Sequence, residues 1–284
     1  MVCLSFNASF SRLSRLPTTM QTQAMAGSTQ SKPGMKVQAI HSLAAEVDKS
    51  HQPKVQVFIV RHGQTSENAL RIIQGHLNTN LNQEGIRQAK LCGKVLSKIS
   101  FDTIWSSDLN RCIQTRDTAL QSHLERLPDS RIHTTELLRE RGFGDVEGYD
   151  YQTVVRTLRQ RKLTWESVGE STQAFQKRLL KAWDEVISEA RMDDVKRVII
   201  VSHGGAISSL IHILIKRRGF VLSDQINTGV INNLLNTSIT IVNVTLKSDG
   251  SVLDGEVVEF NNAYHLKLPE TEDGSIEEEI VDNF

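Results

Sequence analysis

Two short, β-branched runs in this chain each end in a histidine followed by glycine. Val55-Gln56-Val57-Phe58-Ile59-Val60 leads into Arg61-His62-Gly63, and Arg197 to Val201 leads into Ser202-His203-Gly204-Gly205. Runs of this kind read as strands buried on both faces. In an open α/β sheet, ligands bind outside the carboxyl ends of the strands, so two histidines at two such ends can converge on one pocket. The glycines let backbone approach a ligand closely, and the helix after each loop offers an N-terminus that favours anions.

The remaining segments fit the same frame. Ile86, Ala89, Gly93 and Leu96 keep a helical spacing through about residue 99, Phe101 to Trp105 reads as a second strand, and a helix follows through Leu120. Arg131 to Thr135 is a third candidate strand. Phe175, Leu179, Ala182, Trp183, Val186 and Ile187 form one apolar helical stripe, and Ala206 to Ile215 reads as the helix behind the fourth strand. Ser238 to Leu246 alternates like a strand, with Asp249-Gly250 as a turn signal and Val257 to Phe260 as its candidate partner. Strands alternating with helices predict an α/β fold: three layers, α/β/α, around a mostly parallel central sheet.

Charge sharpens the reading of the ends. Lys and Arg total 33 and so do Asp and Glu, a net charge of zero that argues against a dedicated nucleic-acid binder. The zero is uneven. Residues 1–54 carry Arg12, Arg15, Lys32, Lys36, Lys49 and Lys54 against Glu46 and Asp48, and Glu270 to Asp282 is acidic. The expected organisation is a disordered or targeting leader over 1–54, a catalytic body over 55–265 and an acidic tail over 266–284. An acid-poor, Ser- and Arg-containing leader has the composition of a mitochondrial presequence; without one, the cytoplasm, with or without the nucleus, is the expected location. No run of about 18 apolar residues suggests a membrane span. Cys3, Cys92 and Cys112 form no CxxC pair, which disfavours disulfides and structural zinc.

From Arg61 to Asn68 the chain reads RHGQTSEN, and in this it resembles the histidine phosphatase superfamily, in particular its phosphoglycerate-mutase-like branch. That branch carries RHGxTxxN or RHGxSxxN, whereas the acid phosphatases and phytases carry RHGxRxP. The likeness continues in order through Gln74-Gly75, Leu81 to Gly85 with Gln88-Ala89, Ser106 to Arg111 with Thr115, Leu138 to Gly144 with Glu147-Gly148, and Val201 to Gly205. It implies a phosphoglycerate-mutase-like fold and is closest to the fungal broad-specificity phosphatases. It also implies a role for each matched residue: His62 and Glu140 catalytic, Arg61, Asn68, Arg111 and His203 on the phosphate, Gln74 and Gly75 on the rest of the substrate.

The chemistry supports those roles. Phosphoryl transfer needs a nucleophile, an acid for the leaving oxygen and donors for the equatorial oxygens. A neutral His62 attacks through one nitrogen while the other donates to a backbone carbonyl. Arg61 and Arg111 offer planar forks that match phosphate, His203 would donate when protonated, and Asn68 adds a neutral donor. Glu140 would protonate the leaving alkoxide and then take a proton from water. Side chains supply all of the neutralising charge, so no metal or other cofactor is called for. The expected partner is a small phosphorylated metabolite, with no nucleic acid and no membrane.

Mutases of the branch have Glu-Arg-His-Tyr-Gly at the acid and a lysine a few residues on. Here Gly142 replaces the histidine, and Tyr151 falls at the lysine. Hydrolysis of phosphate monoesters is therefore favoured over a 2,3-bisphosphoglycerate-dependent mutase or a fructose-2,6-bisphosphatase-like activity. A catalytically silent interaction module is the alternative of another class; it requires the loss of a site residue, and Arg61, His62, Arg111, Glu140 and His203 are all in place. Trp105, Trp165 and Trp183 read as packing residues, and His76, His212 and His265 carry no pattern. Ser238 to Leu246 is either an edge strand for a homodimer or a strand capped by its neighbour.

Overall fold

A computed structural model describes residues 40–42, 54–193, 195–226, 234–247, 249 and 251–267. Seven strands form one sheet: β1 (Lys54–Arg61), β2 (Thr103–Ser107), β3 (Ile132–Thr135), β4 (Arg197–Ser202), β5 (Val221–Leu222), β6 (Ile239–Leu246) and β7 (Val252–Asn262). Their order is β3-β2-β4-β1-β6-β7-β5. Pairing is parallel for β3/β2, β2/β4, β4/β1 and β7/β5, and antiparallel for β1/β6 and β6/β7. The sheet is thus mostly parallel, as expected.

Among the described residues are five helices of ten or more residues: α1 (Gln83–Leu96), α2 (Asn110–Ala119), α3 (Tyr151–Arg161), α4 (Thr172–Met192) and α5 (Gly204–Arg218). Alternation along β1 separates two cores. Val55, Val57 and Ile59 pack with Phe175, Leu179 and Trp183 of α4 and Ile207 and Leu210 of α5. Phe58 and Val60 pack with Cys92 and Val95 of α1 and Cys112 of α2. Both faces of β1 are therefore dry, which is why its sequence is a continuous apolar run. Its one polar interior residue, Gln56, donates through Nε2 to Asn243 Oδ1, its register partner on β6, at 2.8 Å.

The structure adds three features. Ser238 to Leu246 is no sheet edge: β6 lies between β1 and β7 with ladder bonds on both sides, which leaves capping by a neighbour as the reading that fits. The helix α3 was not foreseen, because only Val154 and Leu158 are buried along it, too narrow a stripe to read as a period. Within the leader, Ile40–Ser42 is helical, Ile40 is fully buried in the α1/α2 core, and the His41 ring bonds the Val95 carbonyl at 3.0 Å, so this short piece packs with the body. Residues 1–39 and 43–53 of the leader, Gly250 of the turn signal and the tail beyond residue 267 lie outside the described residues, while Lys54 begins β1. Among the described residues, no helix is long and apolar enough to cross a membrane.

The β1/β4 register positions the site. Arg61 pairs with Ser202, and His62 N–H donates to the Ser202 carbonyl at 2.9 Å, so His62 and His203 emerge side by side. Their ring centroids are 5.2 Å apart.

Candidate active site

A cavity of about 700 Å³ opens at these strand ends. His62, Arg61, Arg111, Asn68, Gln74 and Glu140 all line it, with Gly75, Gly204 and Gly205. Four arginines (61, 71, 111 and 141) and two glutamates (67 and 140) stand on its wall, an excess of positive charge suited to an anion.

His62 is buried, and its Nδ1 sits 2.7 Å from its neighbour's carbonyl, that of Gly63. A carbonyl only accepts, so Nδ1 carries the hydrogen and Nε2 is left with its lone pair. Burial pushes the His62 pKa well below its ordinary value, and the charges of Arg111 and Arg61 push it further, against the Gly63 bond. The imidazole is neutral at working pH. The loop around it is clamped: Gly63 N–H donates to Thr115 Oγ1 at 2.9 Å, and Asn236 Nδ2 donates to the His62 carbonyl at 2.9 Å.

Arg111 is 1% exposed, at the start of α2. Its Nη1 donates to the Leu77 carbonyl (2.7 Å) and to Thr79 Oγ1 (3.4 Å), its Nη2 to the Gly75 carbonyl (2.8 Å), and its Nε to His203 Nδ1 (3.1 Å). Of five hydrogens, one on Nη2 has no protein acceptor among the described residues. Arg61 donates through Nη1 to the Leu234 carbonyl, while its buried Nε–H has no partner there. Two forks are thus anchored with donors to spare.

His203 stands against Arg111. The ring is fully buried and off the cavity wall; Nδ1 accepts from Arg111, and Nε2 lies 2.9 Å from Ser107 Oγ. Burial, with Arg111, His62 and Arg61 nearby, holds its pKa well below the ordinary value. The ring is thus neutral, with one nitrogen on Arg111 and the other on Ser107.

Glu140 accepts from two backbone N–H groups, Oε1 from Arg141 at 2.9 Å and Oε2 from Gly205 at 2.8 Å. Each oxygen keeps a lone pair for a proton. Gly205 is needed for this approach: a Cβ there would stand 2.5 Å from Glu140 Oε1. Asn68 closes a capping box with Thr65, its Oδ1 accepting from Thr65 N–H at 3.2 Å and from Asn236 Nδ2 at 3.3 Å, which leaves its amide NH2 for the cavity. Gln74 Oε1 accepts from Thr79 Oγ1 at 2.6 Å. Among the described residues, no group of three or more His, Cys, Asp or Glu side chains could hold a metal ion.

Several contributors escaped sequence reasoning. Arg178 of α4 forks onto Glu170 (3.0 and 2.7 Å) and also donates to the carbonyls of Leu137, Arg139 and Glu140 at 2.9–3.1 Å. Burial pushes the Glu170 carboxyl up, but the bonds and charge of Arg178 outweigh it and the net shift is down. The His76 ring meets the Glu140 carbonyl at 2.9 Å, and Glu147 Oε1 accepts from His76 and Phe143 N–H groups. Arg178 and His76 have no local signal, since each acts on backbone far along the chain, whereas Glu147, four residues from Phe143, lies within the matched motif. Trp105 and Trp183 are packed in the core as expected, but Trp165 is half-buried on the cavity wall.

Two arginine forks, a neutral histidine and a carboxylate thus share one cavity at the strand ends of an α/β sheet, an arrangement suited to an anion. The chain belongs to the histidine phosphatase superfamily, branch 1, whose profile matches residues 57–249. It is 34% identical to a probable phosphatase of Schizosaccharomyces pombe over 218 residues, 76% of this chain and 98% of that protein. It is 37% identical to a broad-specificity phosphatase of Saccharomyces cerevisiae over 161 residues, 55% of this chain and 69% of that one. Its fold resembles the crystal structure of a phosphoglycerate mutase from Bacillus anthracis, with a TM-score of 0.60 at 23% identity over 78% of this chain and 98% of the other.

Proposed function

We propose that the chain hydrolyses phosphate monoesters of small metabolites through a phosphohistidine on His62, without a metal. The observation that carries this reading is the Nδ1 bond to Gly63, which aims a neutral Nε2 lone pair into a cavity walled by Arg61 and Arg111. Nε2 attacks phosphorus in line with the ester oxygen; the N–P bond forms as the P–O bond breaks, and Glu140 gives its proton to the leaving alkoxide. Water then attacks the phosphohistidine, Glu140 takes the water's proton, and inorganic phosphate leaves with His62 neutral again. Arg61, Arg111 and Asn68 donate to the equatorial oxygens, and His203 acts through Arg111. The likeness to two fungal phosphatases supports hydrolysis. So does the rim, where an aromatic Tyr151 stands in place of the mutases' lysine.

The test is release of phosphate from a chromogenic ester by wild type and His62→Ala, with and without chelator. Equal slow release by both refutes the enzyme; activity abolished by chelator refutes the metal-free mechanism. Rapid conversion of 3-phosphoglycerate to 2-phosphoglycerate in the presence of 2,3-bisphosphoglycerate, with little free phosphate, would make it a mutase instead.

A further inference from the structure

The half of the cavity away from His62 is built from aromatic rings that belong to neither core. Phe143, Tyr151 and Trp165 line it, and none of the three is part of the two apolar clusters flanking the sheet. Tyr151 and Trp165 lie nearly parallel, 15° between planes and 5.9 Å between centroids, and Phe143 stands edge-on to Trp165 at 5.5 Å. Tyr151 is 52% exposed, a large ring held at the mouth of a polar cavity with no core to fill. Arg141 sits 6.0 Å from the Phe143 centroid, and Arg71 lines the same mouth. The rim is fixed: Tyr151 N–H donates to the Arg71 carbonyl at 3.0 Å, Ile73 N–H to the Tyr149 carbonyl at 3.0 Å, and Gly148 N–H to the Ile73 carbonyl at 2.8 Å.

That paired segment also sets a distance. Its Gly75 end is bonded to Arg111 at the phosphate, and its Arg71 end is bonded to Tyr151 at the rim. Four residues of chain separate them, on the order of 10 Å at strand rise. A ring carried one sugar away from phosphorus matches that span better than a ring esterified directly to it.

We infer that this wall is a subsite for the leaving group, and that the preferred substrates are phosphate monoesters bearing a flat conjugated ring about a sugar's length from phosphorus, as in a nucleoside 5′-monophosphate. This rests on the phosphatase reading and adds the substrate class. The ring lies against the Tyr151/Trp165 face, where stacking is tolerant of ring identity, and the rim arginines meet its polar edge.

The test compares AMP with methyl riboside 5-phosphate, which share the same leaving 5′-alkoxide and differ only in the base. Wild type should favour AMP by about tenfold or more in kcat/KM, carried by KM. Trp165→Ala and, separately, Tyr151→Ala should bring that ratio towards one, while Trp165→Phe keeps most of it. Equal kcat/KM for the two esters in wild type overturns the inference and leaves the phosphatase intact. A preference that neither alanine variant alters overturns the aromatic subsite. Phosphotyrosine taken with a low KM, without any preference for AMP, would put the ring next to phosphorus and also overturn it. If no ester releases phosphate, the phosphatase reading falls first and this one with it.

Discussion

The Nε of Arg111 donates to Nδ1 of His203 across 3.1 Å, and both groups are buried. The second histidine of the site is thereby tied to a guanidinium, and we propose that it acts through the orientation of Arg111. Two variants separate this from a direct contact with phosphate. His203→Ala should lower kcat/KM by about 10²-fold, the usual scale for a lost oxyanion donor. Combined with Arg111→Ala, it should add little to the loss from Arg111→Ala alone, because residues acting as one unit are non-additive. A double variant whose loss equals the product of the single losses would return His203 to the phosphate.

Gly205→Ala should separate catalysis from stability. The new Cβ would meet Glu140 Oε1 at 2.5 Å, so the carboxylate must retreat from its bond with Gly205 N–H. What moves is the far end of a side chain, and alanine within the first turn of α5 favours the helix by up to about 1 kcal/mol. The expected result is a kcat lower by about 10²-fold, the lower range for general acid–base catalysis, with an unchanged or higher Tm. A lower Tm with normal kcat would contradict the assignment of Glu140.

Arg178→Ala removes the fork on Glu170 and the donors to the carbonyls of Leu137, Arg139 and Glu140. Truncating one partner of a largely buried charge pair leaves the other uncompensated, and a loss of about 3 kcal/mol in urea unfolding is expected. Arg178→Lys keeps the charge without the planar fork and should fall between. Activity should drop with both variants, because the Glu140 carbonyl is held by Arg178 and His76 alike.

How much could be read in advance follows from which signals are local. The strands bearing His62 and His203 announced themselves because burial on both faces writes a continuous apolar run, and the glycines after each histidine marked the turn. The α4 stripe was legible for the same reason. By contrast, α3 buries only Val154 and Leu158, so its periodicity is nearly silent. The central place of β6 depends on long-range pairing with Lys54 to Val60, which local alternation does not encode. Trp165 reads as a packing residue from its apolar neighbours in sequence, although its neighbours in space are Tyr151 and Phe143 on a cavity wall. The roles of Arg178 and His76 act on main-chain atoms some 38 and 64 residues away, beyond any motif.

Acid should destabilise this protein through histidines that fold in the neutral form. Burial holds His62 and His203 well below their ordinary pKa, and it lowers His265 from 6.5 to about 4. Below pH 6.5 the unfolded chain binds protons that the native state refuses, so stability rises with pH through this window. The contribution is fully present above about pH 6.5 and is lost as pH falls towards the native values. For His265 alone, the drop from pH 6.5 to about 5 amounts to about 2 kcal/mol at 1.36 kcal/mol per pH unit. His265 Nε2 lies 3.0 Å from Thr237 Oγ1, and Thr237, at a left-handed φ of 57°, donates its N–H to the Arg61 carbonyl at 3.0 Å. Protonation there works against the loop that holds the nucleophile's strand end. Urea unfolding at pH 7, 6 and 5 should show a falling midpoint in wild type and a shallower fall in His265→Gln, which cannot titrate but keeps a donor for Thr237. Identical slopes in the two proteins would mean that His265 takes up its proton in the folded state as readily as in the unfolded one.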